Sequence, residues 1–410
     1  MSKAIGPIPA DYGAGSHGRL EIGGHDIEAI VSEAGSTPLF VYDNNLIGSR
    51  IARFRHAMPD GIALHYAVKA NPFPDLLKWI CMHVDGFDVA SSGELRALDQ
   101  AGADCVAMSF AGPGKSDEDL FRAVKIKATV SVESEGEAAR LIAIAGELGI
   151  RPSVMVRVNP PFALKGAGMK MGGLASPFGV DDDRAADLIK GLVDAGVHYR
   201  GLHVYAGSQC LDWGALAQSM SETVTLAARI SEQAGVEPSI INLGGGFGIP
   251  YFPGEEPLDV DSLGRAVGEM LAEVPPVLGA SRFAIELGRW LVGEAGVYLT
   301  RVVDKKVSRG QTFLVTDGGL HHMLSASGNF GQLLRRNYPV ANASRFAEAA
   351  AGSASVVGCL CTPLDLLADN VAMPEAEVGD LIAVFCAGAY GLTASPQAFL
   401  SQKPAKEMLL

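Results

Sequence analysis

ALHYAVKANPFPDLLKWICMHVDGFDVASSGELRALDQAG (63–102) sets the rhythm from which the fold is read. It opens with a short β-rich run, ALHYAV (63–68), and repeats one at GFDVA (86–90). SSGELRALDQAG follows, with apolar residues at three- and four-residue spacing and a glycine at its end, the pattern of an amphipathic helix with a stop. The alternation continues outward. Further β-rich runs are CVAMSF (105–110), ATVSV (128–132), SVMVRV (153–158), GLHVYA (201–206), IINLG (240–244) and FAIEL (283–287). Helix-like stretches such as ESEGEAARLIAIAGELG and GALAQSMSETVTLAARISEQAG separate them. Eight strands alternating with helices over about 230 residues is the arithmetic of an α/β protein of the (β/α)8 TIM-barrel class. A doubly wound sheet is the alternative, because one sequence does not disclose strand order.

After residue 290 the rhythm changes. GVYLTRVVDKKVS, QTFLVTDGG, SASVVGCLC and DLIAVFCAG read as strands with few long helices, which predicts a C-terminal β domain. RLEIGG and PLFVYD near the N-terminus could add strands to it. The expected division is 1–40 as N-terminal strands packing on the β domain, 41–288 as the barrel, and 289–410 as the β domain.

Composition narrows the function classes. The chain has 410 residues, 48% hydrophobic and 19% charged, enough to bury large cores. Its 33 Lys+Arg against 46 Asp+Glu leave a net charge of −13, a surface that repels phosphate backbones, so nucleic acid is an unsuitable partner. MSKAIGPIPADYGAG lacks the apolar core of a signal peptide, and no 18-residue apolar run occurs, so no membrane partner is expected. Six cysteines (Cys81, Cys105, Cys210, Cys359, Cys361, Cys386) form no disulfide framework and no zinc-ligand spacing. Free thiols in a reducing cytoplasm are the simplest reading.

In a barrel the reactive face lies at the C-terminal strand ends. There stand Lys69, Asp88, Arg157, Asn159, His203, Tyr205, Ser208, Gly244, Gly245, Gly246, Glu286, Gly288 and Arg289. The set suits an anionic, aromatic cofactor. Lys69, beside apolar Ala67 and Val68, can be desolvated into a nucleophilic amine; snorkelling at the rim is its plainer reading. The run LGGGFG lets backbone N–H groups approach a phosphate, or simply makes a tight turn. Glu286 on an apolar strand needs a partner, which a pyridinium nitrogen or Arg289 would supply. Cys361 taken singly reads as an inert residue of an apolar strand, and Tyr390, between small residues, as a half-buried strand tyrosine whose hydroxyl could reach a phosphate. His321 and His322, if on a strand, point to opposite faces and make no metal pair; no metal site is expected.

Taken together, HYAVKAN (65–71), FDVASSGEL (87–95), VRVNP (156–160), AGSQ (206–209), LGGGFGIPY (243–251), ELGR (286–289), CTPLD (361–365) and GAYG (388–391) resemble, in order, the motifs of the fold-type III pyridoxal-phosphate decarboxylases, the diaminopimelate/ornithine/arginine decarboxylase superfamily. The resemblance spans about residues 37–395. It implies an alanine-racemase-like barrel with a C-terminal β domain, pyridoxal 5'-phosphate as cofactor, and a homodimer with active sites at its interface. Carried over, Lys69 resembles the residue of the internal aldimine and Glu286 the acid on the pyridine nitrogen. Gly244–Gly246, Ser208, Arg289 and Tyr390 resemble the phosphate shell, with Arg289 alternatively on a substrate carboxylate. Asp88 and Arg157 match residues near the ring, and Cys361 the cysteine supplied across the dimer to protonate Cα after CO2 leaves.

The departures concern the substrate. Tyr205 stands where the family stacks a histidine on the cofactor, with His203 two residues earlier. Thr362 stands where an acid grips a distal amino group, and Ser325, in HHMLSASGNFG, near the place of an arginine for a distal carboxylate. Losing such a charged partner costs roughly 2–5 kcal/mol of recognition. FALKGAGMKMGG, SPFGVD and Thr-Pro-Leu-Asp resemble instead a branch associated with exosortase operons and with carrier-protein-linked amino acids. The expected substrate is therefore an α-amino acid with a neutral or tethered side chain, for instance a glutamyl thioester, with Arg289, Thr362 and Tyr390 as substrate contacts; whether Lys165 and Lys170, in the loop after the fifth strand, touch a carrier or a substrate carboxylate is left open by the sequence. The alternatives are an authentic diaminopimelate decarboxylase, a fold-type III racemase, which places an arginine where Glu286 stands, and a non-enzymatic cofactor-binding barrel, which lacks the domain of Cys361 and Tyr390.

Overall fold

The computed structural model of the chain describes residues 2–103, 107–330, 332 and 334–410, so Cys105 and the start of CVAMSF lie outside the described residues. The chain forms two compact units. One contains Ile51–Gly248 and Pro257–Gly288; the other contains Met1–Arg50, Ile249–Glu256 and Arg289–Leu410. The segment 249–256, which lies within the barrel stretch of the sequence, thus groups with the β-rich unit.

The first unit is a barrel. Its strands are β1 (Ala63–Ala67), β2 (Gly86–Val89), β3 (Ala107–Phe110), β4 (Thr129–Val132), β5 (Ser153–Asn159), β6 (His198–Val204), β7 (Ile240–Gly245) and β8 (Arg282–Leu287). Each pairs in parallel with the next, and β8 pairs in parallel with β1, which closes the ring and excludes the doubly wound sheet. Strand residues alternate between two faces. Leu64 and Tyr66 are fully buried in the apolar core, while His65 between them turns to polar atoms of the neighbouring strands.

The helices begin and end where local chemistry dictates. Ser91 Oγ accepts from the backbone N–H of Glu94 at 3.2 Å, and Ser134 Oγ from that of Glu137 at 3.1 Å, filling donors a helix start leaves open. Ser116 and Asp119 cap each other reciprocally. Gly149 (φ 62°) and Gly235 (φ 68°) end the helices Glu135–Leu148 and Trp213–Ala234 in the left-handed conformation that suits glycine.

The second unit is built on a sheet centred on Gly296–Ser308. That strand pairs antiparallel with Gln311–Thr316, with Leu381–Val384 and with Leu39–Tyr42, and the last of these takes Lys406–Leu409 in parallel. PLFVYD therefore joins the sheet. RLEIGG does not: Leu20–Ile22 pairs with Gly13–Ala14 and His25–Asp26 in a separate antiparallel sheet. Its apolar residues still share a buried cluster with the large sheet, as Leu20 and Ile22 pack with Val41, Val297 and Phe385. Strands of two or three residues give this piece too little pairing surface to extend the larger sheet.

The expectation of free thiols throughout is corrected at one position. Cys81 is disulfide-bonded, whereas Cys210, Cys359, Cys361 and Cys386 are free. Pairing is set by tertiary proximity of Cα atoms, which sequence spacing does not reveal. Among the described residues no helix is long and apolar enough to cross a membrane.

Candidate functional site

The barrel interior at the C-terminal strand ends is polar and tightly networked. On β8, Glu286 is buried and accepts a hydrogen bond from Asn242 Nδ2 of β7 at 3.2 Å. His203 Nε2 of β6 approaches the same carboxylate oxygen to 3.2 Å, and its Nδ1 lies 3.3 Å from Ser131 Oγ of β4. Burial alone would push the Glu286 carboxyl up, but His203, and then Lys69 and Arg157, outweigh it and hold the carboxyl well below the usual range. The expected Glu286–Arg289 structural pairing is thus not what compensates this charge.

Lys69 follows β1 in a short turn, Val68–Ala70, with its Nζ 5.5 Å from the centroid of the Tyr205 ring, within cation–π reach. The turn carries Lys69 past the buried Ala67 and Val68, so the side chain is exposed rather than desolvated as the apolar neighbours suggested. Glu94, whose carboxyl burial pushes up, lies within the electrostatic reach of this lysine.

Asp88 on β2 takes the Ser109 hydroxyl on one oxygen and faces His65 Nδ1 at 3.5 Å with the other. Arg157 on β5 pairs with buried Glu133 at 3.0 Å, and Glu133 also accepts from the backbone N–H groups of Gly112 and Gly179. Beside them Lys115, equally buried, pairs with Glu137 at 2.7 Å.

The glycine run is strand as well as loop, because β7 continues to Gly245, which is registered with Glu286. A Cβ at Gly244 would stand 2.5 Å from the Val204 carbonyl oxygen, one at Gly245 1.8 Å from that of Glu286, and one at Gly246 2.3 Å from that of Gly207. The run therefore lets three backbones converge. Gly244 spends its own N–H on Asn242 Oδ1 at 2.8 Å. Ser208 pairs with Met169, and Gly207 with Lys170, so the Lys165–Lys170 loop is fastened beside them. At the end of β8, a Cβ on Gly288 would meet that of Ala70 at 2.7 Å.

The β-rich unit holds a second cluster. Arg289 donates to Tyr251 Oη at 2.8 Å, and its guanidinium lies 4.7 Å from the Tyr390 ring centroid. Burial works against its charge, yet Tyr251 and Tyr390 hold its pKa above the ordinary value. Tyr390 is in a loop with φ 53°, not in a strand. Cys361 is likewise not in a strand: it is exposed, in the turn between Gly352–Val357 and Leu366–Met373. Asp365 shapes that turn by accepting from the N–H groups of Leu320 and Leu360. Thr362 Oγ1 accepts from Leu364 N, and Ser325 is buried with its hydroxyl toward Met323 Sδ at 3.8 Å. His321 and His322 occupy a turn, rings 3.8 Å apart rather than on opposite faces, and among the described residues no group could hold a metal ion.

Several partners were not singled out from sequence: His65, Ser109, Ser131, Glu133, Asn242 and Tyr251. Two-residue alternation from Gly244 would have marked Asn242 as facing the same interior.

The donor set fits pyridoxal phosphate. His65 Nδ1, Asp88 Oδ2 and His203 Nε2 are buried without hydrogen-bond partners. Each such orphan costs about 1–3 kcal/mol unless a ligand satisfies it. A buried carboxylate, an amine and an aromatic face together match a cationic heteroaromatic aldehyde.

Comparison with known proteins agrees. Residues 44–293 match the family model for the pyridoxal-binding domain of pyridoxal-dependent decarboxylases. The chain is 34% identical over 385 residues to the L-glutamyl-[BtrI acyl-carrier protein] decarboxylase of Niallia circulans, covering 91% of this chain and 88% of that one. It is 31% identical over 410 residues to the diaminopimelate decarboxylase of Methanothermobacter thermautotrophicus, covering 97% and 92%. Among solved structures, the diaminopimelate decarboxylase of M. jannaschii superposes with a TM-score of 0.83 at 25% identity, covering 94% of this chain and 89% of that one.

Proposed function

Since this chain belongs to the fold-type III pyridoxal-phosphate-dependent decarboxylases, we propose that it decarboxylates an α-amino acid whose side chain is neutral or tethered, with a carrier-linked glutamyl group as the leading candidate. The family makes it a carbon–carbon lyase with pyridoxal phosphate as cofactor. One observation carries the substrate reading. Thr362 and Ser325 stand where charged grips for a distal ammonium and carboxylate are expected, and both are engaged with neutral neighbours. A charged distal group would there lose roughly 2–5 kcal/mol of recognition. The name of the Niallia relative supports the tethered alternative.

When bound, the cofactor supplies an electron sink for the pair left by departing CO2. In this proposal Lys69 would hold the cofactor through its amine. Glu286, whose carboxyl is kept ionised by its neighbours, would favour a proton on the ring nitrogen. Tyr205 offers a flat face beside Lys69. Arg157 and Asp88 order the polar interior, while Ser208, Gly245, Gly246, Arg289 and Tyr390 serve anionic groups. Cys361, as an exposed thiol, delivers the proton to Cα, and the working form is a homodimer.

The test is CO2 release from a panel: L-glutamyl thioester on an acyl-carrier protein, free L-glutamate, and meso-diaminopimelate. The tethered substrate is expected to exceed diaminopimelate at least 100-fold in kcat/KM. Ordinary turnover of free diaminopimelate, with none of the tethered substrate, overturns the proposal in favour of the second reading, a diaminopimelate decarboxylase, which the Methanothermobacter similarity supports.

A further inference from the structure

We propose that His65 is a positioning residue of the cofactor site: its imidazole is the counter-charge of Asp88, and this pairing leaves Glu286 as the carboxylate available to the ring nitrogen. The inference rests on the reading that Lys69 and Glu286 hold the cofactor.

Charge accounting in the barrel interior leads to it. Lys115 pairs with Glu137 at 2.7 Å and Arg157 with Glu133 at 3.0 Å. Among the described residues of the barrel interior the buried carboxylates left are Asp88 and Glu286, and the imidazoles facing them are His65 and His203. His203 approaches Glu286. His65 is fixed between the two acids by register, opposite Glu286 on β8 and opposite Gly86 on β2. Its ring occupies the space a side chain at position 86 would need, since a Cβ there would lie 2.7 Å from Nε2. Only glycine lets the imidazole lean over β2 toward Asp88.

The pair is close but unbonded. His65 Nδ1 is 3.5 Å from Asp88 Oδ2, and both atoms are buried without a hydrogen-bond partner, while the other Asp88 oxygen is occupied by Ser109. The charged groups facing His65 are Asp88 on β2, Glu286 on β8 and Asp85 just before β2. Burial would disfavour the imidazolium, but these carboxylates outweigh it, Asp88 foremost, and raise the His65 pKa. An imidazolium at position 65 would neutralise Asp88. Without it, two carboxylates would compete for one cationic ring.

The experiment uses the pH titration of the visible absorbance of the cofactor-loaded protein, with His65→Gln against wild type. Removing a nearby positive charge favours the protonated chromophore, so the midpoint is expected to rise by about one unit, tenfold in proton affinity. The second measurement is an NMR titration of the histidine ring protons in the cofactor-free protein. Asp88→Asn is expected to lower the His65 midpoint by about one unit. It needs only the conservative Asp88 variant and so decides the matter even when His65→Gln fails to fold. An unmoved absorbance midpoint in a folded His65→Gln, or an unmoved His65 midpoint in Asp88→Asn, overturns the proposal. Lys69→Ala separates the two layers: visible absorbance that survives it refutes the cofactor reading itself, whatever His65 does.

Discussion

Replacing Glu286 with Gln preserves the shape of the side chain and its capacity to accept from Asn242, but removes the buried charge. The carboxylate oxygen stands 3.2 Å from His203 Nε2 and accepts from Asn242. Disrupting a buried charged contact of this kind typically costs about 3–5 kcal/mol. If the ring-nitrogen proton depends on this charge, the same 3–5 kcal/mol is lost from the transition state, a fall in kcat of roughly two to four powers of ten. The assay is single-turnover CO2 release at saturating cofactor, using whichever panel member the wild type decarboxylates. The pH dependence of stability gives an independent reading. The Glu286 pKa is lowered in the folded state, so its stabilisation is present above the ordinary glutamate value of 4.5 and is lost as pH falls below it toward the folded value. Glu286→Gln should therefore unfold less steeply with acid than wild type. A variant whose kcat stays within about tenfold of wild type would refute the assigned role of the charge.

Further outcomes follow from other parts of the structure. Lys115→Met strands the buried Glu137 carboxylate and two carbonyls that the ammonium now bonds at 2.7 and 2.8 Å, so urea unfolding should show a loss of about 3–5 kcal/mol, largely restored in Lys115→Met/Glu137→Leu. Gly244→Ala forces a Cβ onto a φ of 72° and to 2.5 Å from the Val204 carbonyl oxygen; a loss of at least about 2 kcal/mol is expected, and an unfolding curve superimposed on wild type would contradict it. His322 is held neutral by burial, with its pKa lowered to about 4. Its contribution is intact above pH 6.5 and is lost as pH falls toward 4, by up to about 3 kcal/mol, and His322→Gln should flatten the stability profile across that window.

The strand–helix alternation of 63–290 was legible because each element is written locally: β-rich runs, serine caps and glycine stops need only near neighbours. That Lys69, Tyr205 and Glu286 stand at the C-terminal ends of barrel strands was legible for a similar reason, since position along a local strand is enough to place them. What each of them touches was not. Glu286 is compensated by His203 and Asn242 from two other strands rather than by the arginine three residues away, and Lys69 is exposed despite its apolar neighbours. Cys361 and Tyr390 occupy loops that their apolar surroundings disguised as strands. RLEIGG had the composition to join the large sheet but pairs instead in a small sheet of its own.

By itself, then, the sequence determined a parallel alternating unit followed by a β-rich one, and a set of reactive side chains in the order of a decarboxylase family. Ring closure, the pairing of buried charges and the disulfide at Cys81 were decided only by tertiary structure. The physical reason is distance. Helix and strand formation is governed by interactions within a few residues along the chain, whereas a carboxylate's ionisation or a thiol's bonding depends on whichever groups folding brings within a few ångströms, here from β6, β7 and β8 at once.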